Sequence, residues 1–408
     1  MLHMILLLGK GIANNGCKRL LDKYQIKYDY LNIDELECFS YDYIVKAPGI
    51  SLRNEIFTKL SGKIISDIEL GYIITHPNII GVTGSNGKTS VVSMLGHILK
   101  QKYNICVCGN IGYSFCDALV DNPMCDYYIV EMSSFQLEST YELDCVISVI
   151  LNISMCHLDH HSTLNDYIVS KMKIAANQSF KNFTIYNMDN SYLNDLKKKC
   201  MSNIIGFSYK SSISRIYVLN EYIYYQNKRI FKIKKSELAY KHKIENYLAV
   251  LTVISCLDFD LKKACRLLKK FKDVKYRLNK IDDYVYNDAK STNCGSTMAA
   301  INSLDKIHLI CGGYNRGIKI NLELKALNKI RYVYAYGETK NEIKDYFESY
   351  KIKCFSFNTL NDALRSAYIK RFNDEIILYS PMFASFDQYN SYEERGEEFN
   401  KIYNKIKK

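Results

Sequence analysis

No apolar run in this chain of 408 residues approaches the roughly 18 residues that a membrane-spanning helix requires. No membrane-spanning helix and no membrane partner are therefore expected. The first apolar stretch, Met4-Ile5-Leu6-Leu7-Leu8, stops at Gly9-Lys10-Gly11 and reads as a buried strand, not a signal peptide. Fourteen cysteines occur, yet there is no C-x-x-C pair and no His/Cys cluster at zinc spacing. Such scattered cysteine argues for reduced thiols and a cytoplasmic location. There is also no repeat of roughly 20–50 residues and no low-complexity tract. No basic helix or arm stands out. The 55 basic and 43 acidic residues give a net charge of +12, but the excess is spread along the chain. It reads as a Lys-, Asn-, Ile- and Tyr-rich bias, with no nucleic-acid partner expected.

Proline is scarce as well, with only Pro48, Pro77, Pro123 and Pro381. Proline fixes φ and removes a donor, so each position carries information. Pro48 follows Tyr43-Ile44-Val45, and Pro381 follows Ile376-Ile377-Leu378-Tyr379. Both are expected to mark the exit of a strand into a loop.

What the chain does contain is the run Gly81-Val82-Thr83-Gly84-Ser85-Asn86-Gly87-Lys88-Thr89-Ser90. It follows the apolar pair Ile79-Ile80 and precedes a helix expected over 91–102. A strand, a Gly-rich turn and Lys-Thr at a helix start form a cradle for a nucleotide triphosphate. Glycines let backbone N–H groups approach the phosphates, and the helix N-terminus adds positive potential. Gly84, Ser85, Asn86, Gly87 and Ser90 would line the cradle. Lys88 would reach the terminal phosphates, and the Thr89 hydroxyl would ligate Mg²⁺. The common spacing G-x-x-x-x-G-K-[ST] would need glycine where Val82 stands. The pattern here is G-x-x-G-x-N-G-K-[ST], a variant.

Apolar strand, turn and helix alternate along the chain, which argues an α/β fold with mostly parallel sheets. Three domains are expected. Residues 1–77 form a Rossmann-like N-terminal unit with strands near 4–8, 28–33 and 43–46 and a helix near 14–24. Gly9, Gly11 and Gly16 are too little for a dinucleotide fingerprint. Residues 78–272 form a central P-loop domain with strands 79–83, 127–130, 146–151 and 183–186 and a hairpin-rich insert near 216–233. Residues 273–408 form a Rossmann-like C-terminal domain with strands near 284–286, 308–311, 332–336 and 376–379.

Polar clusters follow these strands, where doubly wound sheets place their ligands. Glu131 ends a strand and is positioned to complete Mg²⁺ coordination, a hard cation that prefers oxygen. His157-Leu158-Asp159-His160-His161 gathers three of the eight histidines and points to metal or acid–base work. The helix expected over 166–177 carries Lys171 and Lys173. Lysine ligates no cation while charged, so these residues alone read as an exposed face. In Asn287-Asp288-Ala289-Lys290, Asp288 could accept from ribose hydroxyls and Lys290 could stabilise a transferring phosphoryl group. The segment 380–389 leads through Tyr392 to a terminal helix and suits a small polar ligand.

Taken together, these segments resemble the Mur ligases, ATP-dependent amide-forming enzymes of peptidoglycan synthesis. The variant P-loop, Gly109-Asn110-Ile111-Gly112, Leu151-Asn152-Ile153, His157-Leu158-Asp159-His160 and the pair His242, Asn246 carry the likeness over nearly the whole chain. Glu131-Met132-Ser133-Ser134-Phe135-Gln136-Leu137-Glu138, the segment 287–293 and the segment 380–399 resemble the D-glutamate-adding branch. The resemblance implies that ATP phosphorylates the carboxylate of UDP-N-acetylmuramoyl-L-alanine and that D-glutamate attacks the acyl phosphate. It implies two Mg²⁺ ions, with Thr89 and Glu131 at one and His157 at the other. It also reverses the reading of Lys171, which matches the family lysine carrying CO₂ as a carbamate; carbamylation turns a cation into an oxygen ligand. By the same likeness Asn110 would touch the muramic acid, and Asn246, Arg277 and Asp288 would meet the adenosine. Lys290, Thr292, Arg316, Ser385, Phe386 and Tyr392 would line the D-glutamate site. A monomer is expected.

The chain departs from the family in places. Lys243 follows His242 where Asn is usual, and Tyr276 replaces His before Arg277, where its ring could stack on the base. Arg316 stands for Lys and grips carboxylates bidentately. Ala47-Pro48-Gly49 replaces Ser-Pro-Gly, and Asn32 and Gly11 are the uridine-contact candidates of the first domain. Rival readings are another amino-acid ligase of this fold, such as a folylpolyglutamate synthase, a nucleic-acid-dependent P-loop ATPase, or an inactive binding module.

Overall fold

A computed structural model describes residues 4–36, 40–110, 113–154, 160–161, 163–198, 200–233, 241–271, 275–315 and 320–407. The chain divides into two compact units, Met1–Lys272 and Asp273–Lys408.

The first unit contains two sheets. The smaller one comprises β1 (Ile5–Leu8), β2 (Tyr28–Leu31), β3 (Ser40–Lys46) and β4 (Ser61–Ile65), all parallel in the order β2-β1-β3-β4. The chain leaves β1 to one side and returns on the other, so the loops after β1 and β3 flank a switch point. The larger sheet comprises β5 (Ile79–Thr83), β6 (Ile105–Gly109), β7 (Tyr127–Glu131), β8 (Ile147–Ile150), β9 (Phe183–Asn187), β10 (Asn203–Ser208), β11 (Ile216–Leu219), β12 (Tyr222–Tyr225) and β13 (Lys228–Lys232). Its order is β13-β12-β11-β10-β9-β8-β5-β7-β6, parallel except for the antiparallel ribbon β11-β12-β13. The central strand β5 is buried at every position, as a parallel strand covered on both faces must be.

One continuous apolar cluster explains why the two sheets form one unit. Ile5, Leu7, Leu20 and Val45 of the first sheet layer pack with Ile79, Phe115, Tyr128 and Val130 of the second. The opposite face of the larger sheet is closed by helices Lys88–Leu99 and Lys241–Ile254.

The second unit holds β14 (Asn279–Asp282), β15 (Val285–Asn287), β16 (Ile307–Gly312), β17 (Ile330–Tyr336), β18 (Cys354–Phe357) and β19 (Ile376–Met382). Their order is β14-β15-β19-β16-β17-β18, with only the β14–β15 pair antiparallel among the described pairs. The α/β class expected from the strand–helix alternation is what the sheets show.

Local differences have local causes. Pro381 does not end its strand but lies inside β19, where the register with β16 shifts between Ile310 and Gly312. A bulge leaves a position that needs no ladder donor, which is where proline fits. The P-loop helix begins at Lys88, three residues before the expected start, because Gly87 at φ 88 turns the chain directly into it. The helix expected over 166–177 runs Leu164–Met172, opened by a reciprocal Thr163–Asp166 capping box, and continues as a 3₁₀ turn Lys173–Ala175.

Candidate active site

The phosphate loop follows β5 at the larger sheet's switch point, between β8 and β7. It is held open from both sides. Asn152 exchanges bonds with Asn86: its Oδ1 accepts from Asn86 N at 2.9 Å, and its Nδ2 donates to Asn86 O at 3.1 Å. Ser85 N donates to Asn152 O at 2.8 Å, and Ser85 Oγ lies 2.8 Å from the Tyr167 hydroxyl. Lys88 Nζ donates back to Gly84 O at 2.8 Å, so its ammonium already sits over the loop. Thr89 occupies the first helical turn half-buried, and Ser90 beside it is buried. Asn246, on the helix Lys241–Ile254, reaches the loop: a Cβ added at Gly87 would meet its Oδ1 at 2.5 Å. Only glycine fits there, since φ is also in the left-handed region.

Glu131 ends β7 with its side chain 3 % exposed. Its Oε1 accepts from Asn110 Nδ2 at 3.4 Å, while Oε2 is buried with no hydrogen-bond partner. A desolvated carboxylate oxygen without a donor is costly unless a cation faces it. That orphaned oxygen, near a hydroxyl-bearing phosphate loop, fits a hard divalent ion such as Mg²⁺.

Lys171 overturns the expectation of an exposed helix face. It is 2 % exposed, and Nζ donates to Gly84 O at 3.1 Å and Thr83 Oγ1 at 3.3 Å, with the Tyr167 ring 4.7 Å away. The missed signal is the helix phase: Tyr167 and Lys171 are four residues apart and share the buried face. Lys173 is not free either. Its Nζ donates to Glu138 O at 2.6 Å, and burial lowers its pKa.

Among the described histidines of the cluster, His160 Nε2 lies 3.0 Å and 3.1 Å from the Glu138 oxygens. His161 Nε2 lies 3.0 Å from Ser134 Oγ, and burial pushes its pKa down to about 4. The same Glu138 carboxylate takes Lys46 Nζ at 2.8 Å. Sequence reasoning gave no role to Lys46 or Glu138. His157, Asp159, Arg316 and the Ile111-Gly112 half of the asparagine motif lie outside the described residues.

In the second unit Asp288 is buried after β15. Its Oδ1 accepts from Leu278 N at 2.9 Å and its Oδ2 from Ser380 Oγ at 2.8 Å. Burial raises its pKa to about 6. Neighbouring Arg277 keeps a buried Nε without a partner. Lys290 Nζ donates to the Tyr392 hydroxyl at 3.2 Å and sits 5.0 Å from that ring's centre, so these two predicted residues meet. Thr292 is half-buried, Ser385 buried and Phe386 55 % exposed. Tyr276 offers no free face for base stacking, because its ring is buried against Gly396.

Sequence reasoning also passed over Arg395. Fully buried, it donates through Nη1 to Ala384 O at 3.0 Å and through Nη2 to Phe383 O and Ala289 O, both at 3.1 Å. One guanidinium thus ties the loops after β15 and β19, which carry Lys290 and Ser385.

Residues 82–254 match the family model of the Mur ligase middle domain. The chain is 34% identical over 420 residues to a UDP-N-acetylmuramoylalanine–D-glutamate ligase of Francisella philomiragia, covering 98% of this chain and 95% of that one. It is 33% identical over 413 residues to the ligase of the same name from Caldicellulosiruptor bescii, covering 96% and 89%. This chain belongs to the Mur ligase family. Solved Mur ligases share the fold. The UDP-N-acetylmuramate-alanine ligase of Thermotoga maritima superposes with a TM-score of 0.61 at 16% identity, covering 99% of this chain and 100% of that one. The MurF ligase of Thermotoga maritima, solved in complex with ADP, gives 0.62 at 16% identity, covering 92% and 96%. Among the described residues of this Mur ligase, no helix is long and apolar enough to cross a membrane.

Proposed function

We propose that this Mur ligase joins D-glutamate to UDP-N-acetylmuramoyl-L-alanine at the expense of ATP, in the cytoplasm and as a monomer. The observation that carries the reading is the buried, unpartnered Glu131 oxygen beside a phosphate loop. It stands in a chain whose curated relatives, matched over most of their length, are D-glutamate ligases.

The γ-phosphoryl group of ATP passes to the carboxylate of the alanyl substrate, and ADP leaves. The amine of D-glutamate attacks the acyl phosphate, loses a proton, and expels inorganic phosphate from a tetrahedral intermediate. The backbone donors of Gly84–Gly87 and the Lys88 ammonium stabilise charge on the transferring group. Thr89 and Glu131 would hold one Mg²⁺, and His157 with a carbamylated Lys171 a second; bound there, the ions neutralise phosphate charge. The burial of Lys171 against the phosphate loop supports that role, since a carbamate would bring its oxygens close to the nucleotide. Asn110, already on Glu131, would touch the muramic acid. Asn246, Arg277 and Asp288 would serve the adenosine, while Lys290, Thr292, Arg316, Ser385, Phe386 and Tyr392 would serve the amino acid.

Phosphate release by the purified protein tests the activity. It should require the UDP-sugar and D-glutamate together, and release stimulated by nucleic acid alone would refute the reading.

A further inference from the structure

The first sheet's own contribution rests on one buried contact that the reading above leaves unused. Lys46 is the last residue of β3, and its side chain is completely buried. Its Nζ makes an ion pair with Glu138 Oε1 at 2.8 Å and donates to Phe135 O at 3.1 Å. Both partners belong to the short segment that begins at Glu131. Directly after Lys46 comes Ala47-Pro48-Gly49-Ile50, closed by Ile50 N donating to Ala47 O at 3.0 Å. At the far end of that loop Arg53 Nη2 donates to His160 O at 2.8 Å. The His160 ring centre lies 4.0 Å from that of Phe135, with the planes tilted by 32°, and Nε2 also bonds Glu138. Both ends of the loop are therefore fastened to one block: the segment 131–138 and His160.

The loop sits at the carboxyl end of β3, beside the switch point where a doubly wound sheet takes its ligand. A buried ion pair adds little to stability, because desolvation offsets most of the attraction. What it does add is a fixed distance. We propose that Lys46 is a positioning residue: through Glu138 it locks the 47–53 loop, which would hold the UDP-sugar, at a set distance from Glu131. This rests on the ligase reading for the identity of the ligand, not for the latch itself. Lys46→Met keeps most of the unbranched chain and removes the charge; Glu138→Gln keeps the shape and removes the partner charge.

Two measurements test this. In steady-state assays, Lys46→Met and Glu138→Gln should each raise the KM for UDP-N-acetylmuramoyl-L-alanine by about 10-fold or more, leaving the KM values of ATP and D-glutamate within about 2-fold. The double variant should be no worse than the poorer single one, since both break the same contact. A fall in kcat or thermal stability with all three KM values unchanged would overturn the proposal. The second measurement uses no substrate. Amide hydrogen exchange should quicken across 47–53 in Lys46→Met while 84–90 stays as in wild type; unchanged exchange at 47–53 refutes the latch. Should Lys46→Met not fold, Lys46→Arg replaces it, with the longer planar head misfitting a fully buried slot and the same outcomes deciding. A wild type that ignores the UDP-sugar, yet shows the exchange effect on mutation, would sink the ligase reading and spare the latch.

Discussion

At the scale of single residues, environment and not type decides what each titratable group can do. Lys171 is the plainest case. A buried amine held against Gly84 O belongs to the phosphate loop, whatever its place in a basic-looking helix. Lys171→Ala should lower turnover about 100-fold or more, bicarbonate should not restore it, and a short carboxylic acid should restore part. Unchanged turnover would refute the carbamate role. Asp288 gives a pH prediction. Its folded pKa is about 6, against about 3.9 in an unfolded chain. The folded state therefore binds the proton more tightly, so this contribution is complete below pH ~4 and is lost as pH rises through 6. Asp288→Asn removes that slope. The stability difference between variant and wild type should shift by about 1–3 kcal/mol in the variant's favour from pH 4 to 7. Parallel pH profiles would contradict it.

The candidate site was legible in part at this scale. Glu131 and the loop residues stood out because their chemistry is local: a strand tip and a glycine-rich turn. Lys46 and Arg395 did not, because their partners lie far away in sequence and nothing nearby marks them. Asp288 was visible as a polar residue after a strand, but not as a carboxyl whose two oxygens are engaged by Leu278 and Ser380.

At the scale of elements, the phosphate loop is a cradle framed by two other elements, the segment at Asn152 and the helix bearing Asn246. Gly87→Ala would place a methyl 2.5 Å from Asn246 Oδ1 at a φ of 88°. It should cost about 1–2 kcal/mol of strain locally and weaken binding of a fluorescent ATP analogue by at least about 10-fold. Wild-type affinity in that variant would mean the cradle is not the nucleotide site. Strands of continuous apolar sequence such as β5 were readable because burial on both faces dictates their composition. Less apolar strands escaped. Ser61–Ile65 and Cys354–Phe357 are mixed in composition and owe their conformation to pairing with β3 and β17. Pro381 was misread for a related reason: proline forbids a ladder bond only where the register supplies a partner, and at the bulge it does not.

At the scale of the whole molecule, two units build three sheets, two in the first unit and one in the second, and the candidate site residues cluster at strand ends and in the loops that follow. The alternation of strand and helix made the α/β class readable. The apolar cluster shared by the first two sheets was not, because it is assembled from residues up to about 190 positions apart, from Ile5 to Leu196. The net charge of +12 comes from 55 basic and 43 acidic residues spread along the chain, and only six of the cations are argued to act: Lys46, Lys88, Lys171, Arg277, Lys290 and Arg316. The central claim is the choice of amino acid. Purified protein, ATP, Mg²⁺ and UDP-N-acetylmuramoyl-L-alanine should be incubated in turn with D-glutamate, L-glutamate, D-alanine and meso-diaminopimelate, and each product weighed by mass spectrometry. The account predicts an added D-glutamate residue with one phosphate released per product, and no addition from the others. Ligation of another amino acid with none of D-glutamate would contradict it.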